Sequence, residues 1–310
     1  MTAPEVLVIG EALIDIVRRE DGHREYVGGS PANLAIGTAR LGHRTQLLTH
    51  IARDERGERI ARHVRDEGVD LHERSWSARR TSTADAEIGP DGSATYRFDL
   101  SWELPRGLDT AASVVHTGSI ALFVEPGGAA VLDLLASLPA STLVTLDPNV
   151  RPSLLPDHAD ALTRFEAAAS RCDLVKLSDE DVVWLYPGRS LEQVLAHIRA
   201  LGPAIVVITR GADGAVGDAG NGAVGVRAYA GGVVDTISAG DSFMASLVSS
   251  LLELGPDAMA SRLPGALDRA ARAAAIAVSV AGANPPTRAA LDAYAGERPF
   301  HASATEERAQ

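Results

Sequence analysis

Lysine is almost missing from this chain of 310 residues: Lys176 is the only one among 29 basic residues. A Walker A loop must end in Gly-Lys followed by Ser or Thr, so that the lysine reaches a nucleotide's phosphates. Lys176 follows Leu174-Val175 instead, and P-loop NTPases are excluded. The residue also lies outside any Val-Ala-Ile-Lys context, which removes the protein-kinase pattern and leaves one candidate for Schiff-base chemistry. Cysteine is equally scarce. Cys172, alone, can form neither an internal disulfide nor a Cys-x-x-Cys metal or redox site, and its expected place is buried packing. With no HExxH and no Gly-x-Ser-x-Gly, zincins and nucleophile-elbow hydrolases drop out too. Aromatic residues are only 4% of the chain, few to stack a nucleobase. No uninterrupted run of about 18 apolar residues occurs, and the N-terminus lacks the basic-then-apolar order of a signal peptide. The expectation is a cytoplasmic protein that does not span a membrane. A formal net charge of -12 argues against a nucleic-acid partner, which calls for a basic patch. It does not argue against a nucleotide, which needs only a few local donors.

What is present is ordinary globular material, 45% hydrophobic and 23% charged. Apolar runs at 5–9, 45–49, 113–117, 142–146, 173–176 and 204–208 read as buried strands. Helical patterns fall at 31–41, 54–67, 127–138, 158–170 and 191–201, between most of them. Such alternation predicts an α/β fold, a mainly parallel sheet with helices on both faces and ligands at the carboxyl ends of its strands. Residues 16–27 and 83–100 break the rhythm with a more polar, period-two character and a turn at Pro90-Asp91-Gly92. They are expected to pair as a small β-sheet lid over the site. One domain over 1–300 accounts for the pattern, with a polar, frayed tail at 301–310.

The most informative segment is Asp235-Thr-Ile-Ser-Ala-Gly-Asp241, followed directly by the apolar run Ser242-Phe-Met-Ala-Ser-Leu-Val248. Small residues let backbone N–H groups crowd together, and the helix that follows adds unpaired donors and a positive dipole end, a ready site for phosphate. A carboxylate in that first turn suits a base that takes a proton from an attacking hydroxyl. The bland alternative is an Asp N-cap of an ordinary helix.

A second signal is Gly28-Gly-Ser-Pro-Ala-Asn33. Paired glycines let a ligand approach the backbone, Pro31 can open a helix, and Asn33 offers donor and acceptor to a polyol. A glycine turn before a helix needs no ligand, however, and Asp15 can clamp sugar hydroxyls or simply face water. Gly220-Asn-Gly-Ala-Val-Gly225 formally matches GxGxxG, but the strand-like Val226-Arg-Ala-Tyr229 follows it, so it reads as a hairpin turn.

Together these pieces resemble the PfkB (ribokinase-like) family of carbohydrate kinases over nearly the whole chain. Gly10-Glu-Ala-Leu-Ile-Asp15 is similar to the family's opening strand and sugar-binding Asp. Gly28 to Asn33, continued by Ala39-Arg-Leu-Gly42, resembles its N-terminal signature, and Asp235 to Asp241 its C-terminal Asp-Thr-x-Gly-Ala-Gly-Asp. Asp147-Pro-Asn-Val-Arg-Pro152, Lys176-Leu-Ser-Asp-Glu-Asp181 and Thr209-Arg-Gly-Ala-Asp-Gly214 fall between them in family order. The resemblance implies that Asp241 is the base and that the N–H groups of Ser238, Ala239 and Gly240 hold the transferred phosphoryl charge. It puts Asp15, Gly28, Gly29, Asn33, Arg151 and, from the lid, Phe98 at the sugar. It puts Lys176, Ser178, Thr209, Gly211, Gly214 and Asn284 at ATP. Asp181 would face the Mg²⁺-bound phosphates through water, and Asp235, with the Ala281-Gly-Ala-Asn284 turn, a K⁺-type ion. The lid's edge strands leave a monomer and a homodimer clasped through the lid both open.

Three positions depart from the pattern. Ser238 replaces the first glycine of Gly-Ala-Gly, harmless at negative φ and costly, on the order of 1 kcal/mol or more, at positive φ. Ser178 and Asp181 stand where many members have Asn and Glu, and Ala52-Arg-Asp54 where many have Gly-x-Asp. The wording of the motifs is nearest the fructokinase branch, which implies ATP-dependent phosphorylation of a primary hydroxyl of fructose. A 2-keto-3-deoxygluconate kinase is the alternative, since Arg151 would suit a substrate carboxylate. A non-catalytic sugar or nucleotide sensor on the same fold is the reading of another class.

Overall fold

The computed structural model describes residues 3–19, 22–88, 94–155, 157–229 and 231–296. The expected turn at 90–92 and the tail at 301–310 lie outside them.

The strands are β1 (Val6–Ile9), β2 (Leu13–Arg19), β3 (Gly22–Gly28), β4 (Thr45–Leu48), β5 (Val69–Leu71), β6 (Thr83–Ile88), β7 (Ala94–Asp99), β8 (Val114–Gly118), β9 (Leu143–Asp147), β10 (Leu174–Ser178), β11 (Ile205–Thr209), β12 (Ala215–Asp218) and β13 (Val224–Val226). The helices are α1 (Ser30–Arg40), α2 (Glu55–Asp66), α3 (Ile120–Phe123), α4 (Gly127–Ser137), α5 (His158–Ala169), α6 (Asp179–Leu185), α7 (Leu191–Leu201), α8 (Ala239–Leu254), α9 (Pro256–Ser261), α10 (Leu263–Val278) and α11 (Arg288–Ala293).

Among the described residues, nine strands form one sheet in the order β13-β12-β11-β10-β9-β8-β1-β4-β5. Neighbours from β11 to β5 are parallel, and β12 and β13 add an antiparallel edge. The Gly220-to-Gly225 segment therefore belongs to a hairpin, as its flanking strand pattern required. Each central strand is apolar on both faces, the pattern of parallel strands covered by helices on both sides. Val6, Val8, Val114, Leu174 and Val207 pack into a core with α1, α8 and α10. Leu7, Ile9, Val115, Leu146, Val175 and Ile208 pack into another with α4, α5 and α7. Cys172 is buried in the second core, where its thiol donates to the Ala168 carbonyl at 3.2 Å and burial pushes its pKa up.

The second sheet, in the order β3-β2-β6-β7, is the one expected from the period-two segments. It begins earlier than residue 16, however. Asp15 lies within β2, opposite Tyr26 on β3 and Ala84 on β6. The sheet is joined to the body through a small cluster in which Leu13, Ala84 and Ile120 pack with Phe98.

Candidate active site

The parallel strands β1, β8, β9 and β10 all end on one side, and the chain's chemistry-bearing residues follow directly. Glu11 comes just after β1, Gly118 ends β8 with Ser119 following it, Asp147 ends β9, and Lys176 lies in the middle of β10. Close approach there is enforced by glycine: a Cβ on Gly118, at φ 155°, would lie 1.8 Å from the Asp147 carbonyl oxygen. Over these strand ends stands the N-terminus of α8, with Asp241 in its first turn.

Asp241 is brought to α1 by helix packing. A Cβ on Gly37 would lie 2.7 Å from Cβ of Ala245, so only glycine lets α1 approach α8 this closely. Asn33 and Asp241 sit one helical turn back from that contact on their respective helices. There the Asn33 amide donates to Asp241 Oδ2 at 2.8 Å, and the Ser30 hydroxyl donates to Oδ1 at 2.6 Å. Burial raises the Asp241 pKa, while those two hydrogen bonds and the charges of Lys176 and Arg151 pull it back. A carboxylate held by two donors in a partly desolvated place is oriented and basic enough to take a proton.

The turn before Asp241 contains the strained position. Ser238 has φ 62° and ψ 9°, the left-handed region, so the costly alternative holds. Its carbonyl accepts from Ser242 N–H at 2.8 Å and opens the helix, while its buried hydroxyl has no partner among the described residues. The Ala239 N–H donates weakly to the Thr236 carbonyl at 3.3 Å. Helix geometry leaves the first-turn N–H groups pointing outward, available to an anion.

Lys176 lies beneath that turn. Its ammonium donates to Asp147 Oδ2 at 2.7 Å in a buried ion pair, and a Cβ on Gly240 would be 3.2 Å from Nζ. Burial alone would depress Lys176, but Asp147, then Asp181 and Asp241, leave its pKa raised. Burial holds Asp147 at about 6 against the pull of the ammonium. The lone lysine thus adds positive charge under the anion site. On the same sheet, buried His116 bonds Thr145 through Nδ1 at 2.9 Å and is pushed down to about 3 by burial and Lys176, which keeps it neutral.

The sugar-side residues converge from three elements. A Cβ on Gly28 would lie 1.9 Å from Asp15 Oδ2, and one on Gly29, at φ 110°, 2.5 Å from the Glu11 carbonyl oxygen. Asp15 is raised to about 6 by burial, opposed by the charge of Arg151. Arg151 is exposed, its Nη1 donates to the Val150 carbonyl at 3.2 Å, and its charge acts on Glu11, Asp15 and Asp241.

Other expected residues have local duties. Ser178 caps α6, and Asp181 completes the capping box: its Oδ2 accepts Ser178 N–H at 2.8 Å and its Oδ1 accepts Val150 N–H at 2.7 Å. Thr209 ends β11 and bonds the Leu177 carbonyl at 3.3 Å. Gly211 at φ 49° and Gly214 at φ 88° shape the turn after it, and a Cβ on Gly214 would strike the Val226 carbonyl oxygen at 2.0 Å. Asp235 accepts N–H bonds from Ile237 at 3.0 Å and Gly282 at 2.9 Å, which ties the 281–284 turn to the loop before α8. Asn284 Oδ1 is taken by Arg40. Asp54, in the Ala52-Arg-Asp54 departure, caps α2 and bonds Thr81. Sequence reasoning missed Ser30 and Glu11. Ser30 stood inside the glycine motif, and Glu11 was a carboxylate placed directly after a buried strand.

Residues 3–290 match the model of the pfkB family carbohydrate kinases. The chain belongs to that family. As a pfkB family carbohydrate kinase it is a phosphotransferase whose acceptor is a sugar hydroxyl. It is 35% identical over 259 residues to a fructokinase of Rhizobium leguminosarum bv. trifolii, covering 79% of each chain. It is 30% identical over 292 residues to a fructokinase of Salmonella typhimurium, covering 90% of this chain and 94% of that one. A double-mutant fructokinase of Vibrio cholerae O395, solved with fructose, ADP and potassium ion, superposes with a TM-score of 0.81 at 26% identity over 94% of this chain and 99% of that one. The aminoimidazole riboside kinase of Salmonella enterica, solved with its riboside and an ATP analogue, gives 0.78 at 25% identity over 93% and 98%. In this pfkB kinase no described helix is long and apolar enough to cross a membrane.

Proposed function

We propose that this kinase transfers the γ-phosphoryl group of ATP to a primary hydroxyl of fructose. The observation that carries the reading is Asp241, fixed by Ser30 and Asn33 in the first turn of α8, beside donors for an anion and above the Lys176 ammonium. Asp241 accepts the proton of the acceptor hydroxyl as its oxygen attacks the γ-phosphorus. The bond to the bridging oxygen breaks and ADP leaves. Ser238, Ala239 and Gly240 N–H groups stabilise the charge on the transferred group, and base and anion site act as a unit. Asp15, Gly28, Gly29 and Arg151 orient the sugar, with Phe98 as the apolar contact from the β-sheet lid that keeps water from competing as acceptor. Thr209, Gly211, Gly214 and Asn284 line ATP.

Among the described residues no group of three or more His, Cys, Asp or Glu could hold a metal by itself. That suits Mg²⁺ carried mainly by ATP phosphates. Asp147 Oδ1, a buried carboxylate oxygen without a partner among the described residues, and Asp181 would meet it through water. Mg²⁺ there would neutralise phosphate charge. Asp235 and the 281–284 turn suit a K⁺-type ion.

Fructose is favoured over a sugar acid by charge. Arg151 already acts on three carboxyl groups, Glu11, Asp15 and Asp241, so a substrate carboxylate would add a fourth to one exposed guanidinium. ADP release across ketoses, aldoses, sugar acids and nucleosides tests the reading. Fructose should give the highest kcat/KM; a sugar acid exceeding it would overturn the substrate, and ligand-induced thermal stabilisation without any ADP release would mark a sensor.

A further inference from the structure

Glu11 is a buried carboxyl group that the mechanism above does not use. Its residue is 6% exposed, and Oε2 has no hydrogen-bond partner among the described residues. Ser119, at the end of β8, bonds the carboxyl group, and Ser119 is itself held at φ 53° with its N–H on the Asp147 carbonyl at 3.0 Å. The Glu11 main chain abuts Gly29, and its side chain feels the charges of Arg151 and Asp241. An orphaned buried oxygen calls for a partner, and the groups around it are those proposed to hold and deprotonate the sugar.

We infer that Glu11 is a further sugar-binding residue, whose Oε2 bonds a hydroxyl of the bound ketose beside Gly29, Arg151 and Asp241. The inference rests on the sugar-kinase reading and adds a residue to its acceptor site. Burial raises the Glu11 pKa to about 7, against the lowering effects of Ser119, its own backbone and Arg151, with Asp241 adding to the rise. Arg151 from the segment after β9 and Asp241 from α8 are the charged groups facing it, while Ser119 and α1 contribute neutral ones. Below neutrality the Glu11 acid donates its O–H to a sugar hydroxyl oxygen. Once ionised it only accepts, and it sets a second negative charge beside the base.

Fructose KM and kcat of wild type, Glu11→Gln and Glu11→Ala between pH 6 and 8.5, with thermal shifts on fructose alone, test this. In wild type the fructose KM should rise about fivefold across that range as Glu11 ionises. Glu11→Gln, which keeps a donor but cannot titrate, should lose the part of that rise centred near pH 7 and keep only the part centred near pH 6 that Asp15 contributes. Glu11→Ala should raise the fructose KM about tenfold or more at unchanged ATP KM, and lose the fructose-induced thermal shift. An unchanged fructose KM in Glu11→Ala, or the same pH dependence in Glu11→Gln as in wild type, would overturn the assignment. Absence of wild-type turnover on every sugar would instead remove the kinase reading on which it rests.

Discussion

Asn33 and Asp241 lie 208 residues apart in sequence, and the amide of one donates to the carboxylate of the other at 2.8 Å. The contact joins the two ends of the chain's chemistry: the glycine-rich entry to α1 and the anion turn before α8. It exists because Gly37 and Ala245, each one turn further along, leave only the Ala245 methyl group between the helices there. Asn33 is thus a holder of the base as well as a candidate for the sugar.

The first expectation concerns that hold. The hydrogen bonds from Ser30 and Asn33 lower the Asp241 pKa, so removing either raises it. Ionised Asp241 is the active base, and its acid limb must then move to higher pH. In Asn33→Ala and Ser30→Ala, kcat at neutral pH should fall by about one to two orders of magnitude. A pH profile of kcat checks both the size and the direction of the shift.

Gly28 should be a sugar-affinity position. The Cβ of Gly28→Ala would fall 1.9 Å from Asp15 Oδ2. The flexible carboxylate must turn aside, and its place at the sugar is lost while the fold survives. We expect the fructose KM to rise by about tenfold, with ATP KM unchanged, in steady-state kinetics.

Ser238 stores strain. Ser238→Gly should stabilise the protein by about 1 kcal/mol, the release of a left-handed non-glycine residue less the greater chain entropy of glycine. Denaturant midpoints measure it. Ser238→Val should move the midpoint the other way, because a β-branched residue tolerates this φ worse.

The Lys176–Asp147 pair makes a stability prediction with a pH signature. Lys176→Met leaves Asp147 buried and unpaired, at a cost of about 3–5 kcal/mol at neutral pH. Adding Asp147→Leu should recover most of it. In wild type the folded Asp147 pKa, about 6, already exceeds its ordinary value of 3.8. Its stabilising proton uptake is complete below that ordinary value and fades as pH rises through about 4 to 6. Without the ammonium the folded pKa rises further, so urea titrations of Lys176→Met should show the deficit shrink as the pH is lowered toward 4.

Much of the framework was legible because buried parallel strands and their covering helices announce themselves locally. The helix at 191–201 was expected and found at those bounds, and the period-two segments did pair as a sheet. The lid segment was expected from residue 16, but β2 starts at Leu13, because the apolar Leu13 and Ile14 do not stand out from the apolar run before them. The Ala-rich helix α10 escaped notice since its small side chains give a weak apolar stripe, though it packs closely on α8. The site was legible as motifs but not as contacts. The sequence left the φ of Ser238 open, and neither Asn33's grip on Asp241 nor Glu11's burial follows from spacing, because both depend on helices and strands distant in the chain. Asp181 shows the converse: Ser-x-x-Asp at a helix start is also a capping box, and both carboxylate oxygens are engaged by backbone N–H groups.

The most direct measurement is fructose-dependent ADP release by Asp241→Asn beside wild type, with fructose binding followed by thermal shift. The account predicts a kcat lower by about two to four orders of magnitude with fructose binding retained, since Asn keeps the shape of the side chain but cannot take the proton. Wild-type kcat in the variant would contradict it and place the base elsewhere.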